Sequence, residues 1–292
     1  MKTKLSFAII IASMLFAMCT NKKPFNPEDL NRINNFSTAT ITKTVLNEEI
    51  ASSFTGTLIF IASSSNDDVM VVMQSLPELN RMYNDDDVLD TVMPFMQHGN
   101  VSLVNTSDGV IGVMPKHMFG EDVNLYTILN EAGFNTNAKG DFVTIRIKKK
   151  QAVIEDELLV KLDPDKLENA PCVINALNCY EGDTNIYHYI VTGFLHYLTP
   201  EEQNYLFQNA YNSVGEKIAA SPDSGMYVVK VPDDLTGDIF GMSGGSVTVT
   251  IDGKDYFFGM NTQRMIFASI SRQDTTYNLL MSIQPIVMSD LQ

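Results

Sequence analysis

The stretch from Val247 to Phe258 constrains the fold of this chain more tightly than any other. Val247-Thr248-Val249-Thr250-Ile251 alternates apolar and polar side chains, and a period of two puts one kind on each face of an extended strand. Asp252-Gly253 follows, a pair that readily adopts positive φ at both centres of a tight turn, and Lys254 to Phe258 supplies the returning strand. A helix has no use for that pattern; a β-hairpin does.

The same kind of run recurs upstream, in Gly56 to Ile61, Val69 to Met73, Val101 to Val104, Val110 to Met114 and Phe142 to Ile147. Further runs are Leu158 to Leu162, Cys172 to Leu177, Tyr187 to Phe194 and Met226 to Val231. Short strands separated by turn residues predict a mainly β barrel or sandwich. Two segments are expected to be helical. Thr199-Pro200-Glu201-Glu202 combines a threonine N-cap, a first-turn proline and a glutamate placed for a capping box, and its helix should run towards Ile218. Pro77 to about Met96 is expected to form the other, and both read as decorations of the β structure.

At the start, Lys2 and Lys4 precede an apolar run from Leu5 to Met18, which ends at Cys19. A short basic segment before an apolar stretch too short to span a bilayer is a secretory signal. Leu15-Phe16-Ala17-Met18-Cys19 resembles a bacterial lipobox, with Met18 where a small residue is usual. Residues 1–19 are therefore read as signal peptide and lipobox, Cys19 as the lipid attachment point and 20–42 as a tether. The expected location is the bacterial cell envelope, lipid-anchored; a plain signal peptide would instead leave a periplasmic or secreted protein.

Composition narrows the partners. Against 20 basic residues stand 35 acidic ones, a formal charge of −15 that repels phosphate backbones, so nucleic acid is not an expected partner. Apart from Cys19, only Cys172 and Cys179 remain, either a disulfide or two buried thiols. With no clustered histidine they make no metal site, and no cofactor is expected.

The chemistry lies in Gly241-Met242-Ser243-Gly244-Gly245. This satisfies the G-x-S-x-G elbow of α/β-hydrolases, in which a helix and later the catalytic histidine follow the serine. Here a hairpin follows, and the last histidine of the chain is His196. The elbow reading fails on both counts. The pentapeptide equally satisfies a G-x-S-G-G serine loop, in which the backbone N–H groups of Gly241 and Ser243 would form an oxyanion hole. Gly244 and Gly245 would let the chain leave without crowding a substrate.

At this point the sequence resembles the trypsin/chymotrypsin-like serine peptidase family, especially its compact bacterial members. Phe258-Gly259-Met260-Asn261 is similar to the strand after the family's serine loop, and Ile190-Val191-Thr192-Gly193-Phe194 to a strand opening its second barrel. Val110 to Phe119 resembles the strand that delivers the catalytic histidine into a helical turn. The resemblance implies two antiparallel six-stranded β-barrels with helical insertions, over 43–292, the first at about 43–180 and the second at about 181–292.

It also implies Ser243 as nucleophile and His117 as general base. Of the other histidines, His98 reads as a turn residue, His188 lies between tyrosines in a strand, and His196 precedes the capped helix. The family's third member is an aspartate just before an apolar strand, between the histidine and the serine. Asp141 fits locally but follows His117 by only 24 residues, a short interval for a hairpin plus a helix expected over 121–134. The loop around Asp165 fits the topology better, so Asp165 is assigned the role, with Glu168, Asp163 and Asp141 behind it. Asn169 in that role would favour the wrong imidazole tautomer. The expected activity is endopeptidase action on peptide or protein substrates through an acyl-enzyme. The alternative is a catalytically inactive peptidase-fold lipoprotein acting as a binding module. Nothing in the sequence bears on oligomeric state.

Overall fold

The computed structural model describes residues 31–45, 57–63, 69–74, 96–106, 109–119, 130, 134–136, 140–147, 157–158, 163–179, 186–209, 225–232, 241–270 and 275–291. The expected signal segment with Cys19, and the helix expected over 77–96 apart from Met96, lie outside them. The chain divides into two compact units, Met1–Asn35 and Phe36–Gln292. Of the first, the described part is a four-residue helix, α1 (Asn31–Asn34), and Asn35.

The second unit is mainly β and consists of two sheets. The larger takes the order β1 (Thr40–Val45), β10 (Ile186–Phe194), β9 (Pro171–Cys179), β13 (Ser246–Ile251), β14 (Lys254–Ile270), β15 (Thr275–Pro285), β12 (Met226–Val231) and β11 (His196–Leu198). These strands pair antiparallel, and only the short β8 (Glu157–Leu158) joins β14 in parallel. Leu195 alone separates β10 from β11, although they pair on opposite flanks of the sheet. The sheet therefore curls into a half-barrel. Its core holds Ile174, Val191, Val229, Val247, Phe258 and Met281, all at most 3% exposed.

The hairpin read from sequence is β13 and β14. Ile251 pairs with Lys254, and Asp252 and Gly253 have φ of 53° and 78°, the doubly positive turn that Asp-Gly favours. Val247 and Val249 are buried while Thr248 and Thr250 are partly exposed, as the alternation requires. The helix α3 (Pro200–Asn209) also starts where expected. The Thr199 N–H donates to the Glu202 carboxylate at 2.8 Å and the Glu202 N–H to Thr199 Oγ1 at 3.3 Å, a reciprocal capping box.

The smaller sheet has the order β3 (Val69–Gln74), β2 (Thr57–Ser63), β4 (Met96–Thr106), β5 (Gly109–Pro115), β7 (Phe142–Ile147) and β6 (Phe134–Asn135). Phe142 and Ile111 of this sheet share a core cluster with Phe257 and Met260 of the larger one. His98 is a correction: it lies within β4 opposite Phe60, not in a turn. Strands β1 and β9 both belong to the larger sheet. The folded unit starts inside the expected tether, with Phe36 stacked on His196 at 3.7 Å and the Ala39 N–H bonded to the Lys230 carbonyl.

Cys172 is buried and free. It shares strand β9 with Cys179, seven steps along the extended chain, which separates the two by roughly 23 Å, far beyond disulfide reach. Burial pushes its thiol up to about 12. Iodoacetamide at pH 8 should therefore leave Cys172 unmodified in the native protein and alkylate it in denaturant, as read by peptide mass mapping; native-state alkylation would contradict this packing. Among the described residues, no helix is long and apolar enough to cross a membrane.

Candidate active site

Strand β5, buried from Val110 to Pro115, ends in one turn of 3-10 helix, Lys116–Phe119, that carries His117. Antiparallel pairing of β5 with β7 sets Pro115 opposite Phe142, which brings the residue before β7, Asp141, alongside that turn. The Lys116 N–H donates to the Asp141 carbonyl at 3.3 Å. The Asp141 carboxylate then grips His117 twice. Oδ1 accepts the His117 backbone N–H at 2.9 Å, and Oδ2 lies 2.6 Å from Nδ1. A carboxylate has only acceptors to offer, so Nδ1 carries the proton and a neutral ring turns a bare Nε2 outward. That Nε2 lies 3.3 Å from Ser243 Oγ.

The structure thus brings Ser243 and His117 together and puts Asp141 behind the imidazole. Asp165 is the correction. It sits exposed on the short helix α2 (Pro164–Leu167), with no recorded bond to His117. Its neighbours are committed elsewhere: Lys166 pairs with Asp252 at 3.1 Å, and the Asp163 carbonyl accepts N–H groups of α2. Glu168 does lie behind a histidine, but that histidine is His196, at 3.1 Å. Asp141 stands beside His117 because β5 pairs with β7 directly, which sets Pro115 opposite Phe142. The sequence signal was present in Asp141 itself, an aspartate immediately before an apolar strand. His188 and His196 are buried in strands of the larger sheet.

The serine loop is held by contacts from both sheets. Met242 is buried in the core of the larger sheet, and Gly241 and Gly244 have φ of 85° and 86°. Gly244 presses on the smaller sheet, where a Cβ would come within 2.0 Å of the Asn100 carbonyl oxygen. A Cβ on Gly245 would meet Ala176 at 2.6 Å. Close packing inside the protein leaves neither position room for a side chain. The Gly245 N–H donates to the Met242 carbonyl at 3.0 Å, which turns that carbonyl inward and the Ser243 N–H the opposite way, since the C=O and N–H bonds of a trans peptide point in opposite directions. Among the described residues no acceptor is recorded for the Gly241 or Ser243 N–H. Ser243 Oγ donates its proton to the Thr262 carbonyl at 3.0 Å, closer than His117.

Three supporting residues carry no local sequence signal. The Thr262 backbone carbonyl accepts the serine hydrogen bond, Asn100 binds the serine loop, and Gln284 holds the aspartate. Gln284 Oε1 accepts the Asp141 N–H at 3.1 Å while its Nε2 donates to the Pro285 carbonyl at 3.0 Å. Gln284→Ala should free the Asp141 backbone and, on a serine-hydrolase reading of the site, lower kcat/KM by about tenfold, the value of one well-placed hydrogen bond. A rate unchanged in a variant with native circular dichroism would remove Gln284 from this role.

No group of side chains that could hold a metal ion occurs among the described residues. No protein-family model matches the chain, and no curated protein matches it.

Proposed function

We propose that this protein is a serine endopeptidase of the trypsin/chymotrypsin-like kind. One observation carries the reading: Ser243 Oγ, His117 and the Asp141 carboxylate stand in line, at 3.3 Å and 2.6 Å. Their chain order of histidine, aspartate and serine is that of the family. In the proposed reaction the Ser243 hydroxyl turns from the Thr262 carbonyl to His117 Nε2, which takes its proton as Oγ attacks the scissile carbonyl. The oxygen that becomes negative is received by the Gly241 and Ser243 N–H groups. His117 next protonates the leaving amine, and water, deprotonated by the same nitrogen, hydrolyses the acyl-enzyme. Asp141 holds the Nδ1 tautomer and stabilises the imidazolium without itself taking the proton.

The architecture is read in the same way. With β10 and β11 taken as one bent strand, the larger sheet would close as a six-stranded barrel of β9, β10–β11, β12, β15, β14 and β13. The smaller sheet would form the second barrel wall. The reading includes attachment at Cys19 to a bacterial envelope membrane, with peptide or protein substrates outside the cell's interior.

A second reading has its own support. The Ser243 hydroxyl donates to the Thr262 backbone carbonyl rather than to His117, which suits an inactive peptidase fold kept as a binding module. A biotinylated fluorophosphonate separates the two. The peptidase labels at Ser243, mapped by mass spectrometry, and Ser243→Ala does not label. Folded wild-type protein that never labels would sink the peptidase reading.

A further inference from the structure

Ser102 lies in β4 of the smaller sheet, is 1% exposed, and sends its hydroxyl across to the serine loop, where Oγ donates to the Gly244 carbonyl at 2.9 Å. That carbonyl and the Gly245 N–H belong to one planar peptide unit, 244–245. The Gly245 N–H donates in turn to the Met242 carbonyl at 3.0 Å. The Met242 carbonyl shares its own unit, 242–243, with the Ser243 N–H. Two rigid planes and two hydrogen bonds therefore run from Ser102 to that N–H.

We propose that Ser102 is a positioning residue that fixes the direction of the Ser243 oxyanion donor from the opposite sheet. This rests on the peptidase reading. The peptide units of the loop differ in how they are held. Unit 243–244 is bound at both ends from outside the loop: its carbonyl accepts the Asn100 N–H at 2.7 Å, and its N–H donates to the Asn261 carbonyl at 2.8 Å. Unit 242–243 has a single recorded bond among the described residues, the one from the Gly245 N–H. Its orientation is only as secure as that of unit 244–245, which supplies the bond. Unit 244–245 lies between two glycines, where a peptide plane meets the least steric resistance to rotation. The Ser102 hydroxyl is what holds it from outside the loop. Without that hydroxyl the Gly244 carbonyl is left buried and unpaired, which favours a turn of the plane towards another donor. The turn withdraws the Gly245 N–H from Met242 and releases the Ser243 N–H from its direction.

The test uses the full-length protein with Ser102→Ala, which removes the hydroxyl alone, and Ser102→Cys, which fills the same space with a far weaker donor should the alanine variant not fold. The substrates are the ethyl ester of the best peptide from a fluorogenic library and its thiono analogue, in which sulfur, a poor acceptor, replaces the carbonyl oxygen. In the folded variants kcat/KM for the ester should fall about tenfold to a hundredfold, somewhat less than the loss of an oxyanion donor itself. For the thiono ester, whose sulfur gains little from the donor, it should stay within about threefold of wild type. Folded variants with wild-type ester rates would overturn the proposal. So would equal losses on the two esters, which a general disturbance of the site produces. Failure of the wild type to label with fluorophosphonate would instead defeat the peptidase reading on which the proposal rests.

Discussion

Asp141→Asn is expected to lower kcat/KM by about 10⁴-fold, while Asp165→Asn, an exposed surface exchange, stays within about twofold of wild type. The reason is the tautomer. Asp141 Oδ2 lies 2.6 Å from Nδ1 and compels that nitrogen to keep the proton, leaving Nε2 free to accept from Ser243. An asparagine amide that presents its N–H₂ to Nδ1 reverses the arrangement, putting the proton on Nε2, where it blocks acceptance. The amide oxygen then still accepts the His117 backbone N–H, as Oδ1 does at 2.9 Å, so the turn is kept and the loss reports the tautomer. Parallel kcat/KM measurements with one peptide substrate check both variants. An Asp165→Asn protein as impaired as Asp141→Asn would reverse the assignment of the acid.

The second large effect concerns stability. Gly244→Ala should destabilise the fold by roughly 2–6 kcal/mol, combining strained backbone with overpacking. Gly244 has φ of 86°, and a Cβ would lie 2.0 Å from the Asn100 carbonyl oxygen and 2.8 Å from Pro115 Cδ. Both obstacles belong to the strands that deliver the other half of the site, and a backbone carbonyl cannot swing aside as a long side chain would. For a domain of this size the melting temperature should fall by about 4–20 °C in calorimetry. Gly253→Ala is the internal comparison, with φ of 78° but nothing within 4 Å of its Cβ. It isolates the backbone strain, about 1–3 kcal/mol. Equal losses in the two variants would mean that the serine loop is not pressed against the smaller sheet.

The two effects meet at the junction of the sheets. Asn100 reaches from the smaller sheet to the serine loop, Ser102 Oγ donates to the Gly244 carbonyl at 2.9 Å, and Gln284 reaches back from the larger sheet to Asp141. The proposed catalytic line therefore depends on how the sheets dock, and a substitution at that junction can change rate without touching a reacting atom.

The sequence by itself determined what is settled within a few residues of chain. The Asp252-Gly253 hairpin, the Thr199–Glu202 capping box and most strand positions follow from period, turn chemistry and local hydrogen bonding. The serine loop and the delivery of His117 after its strand were singled out by the resemblance to the peptidase family rather than by local pattern alone. Strand extent was less so: β14 runs to Ile270, well past the apolar stretch ending at Met260, because pairing with β15 continues it. Only the tertiary structure decided which acid stands behind His117. An aspartate before an apolar strand marked Asp141 as a candidate, but the register of β5 against β7, which puts it beside His117, leaves no local mark. The same holds for Asn100 and Gln284, whose bonding partners lie 141 and 143 residues away in Gly241 and Asp141. A side chain's meaning at that separation is set by the fold that closes the distance, so local pattern carries no trace of it.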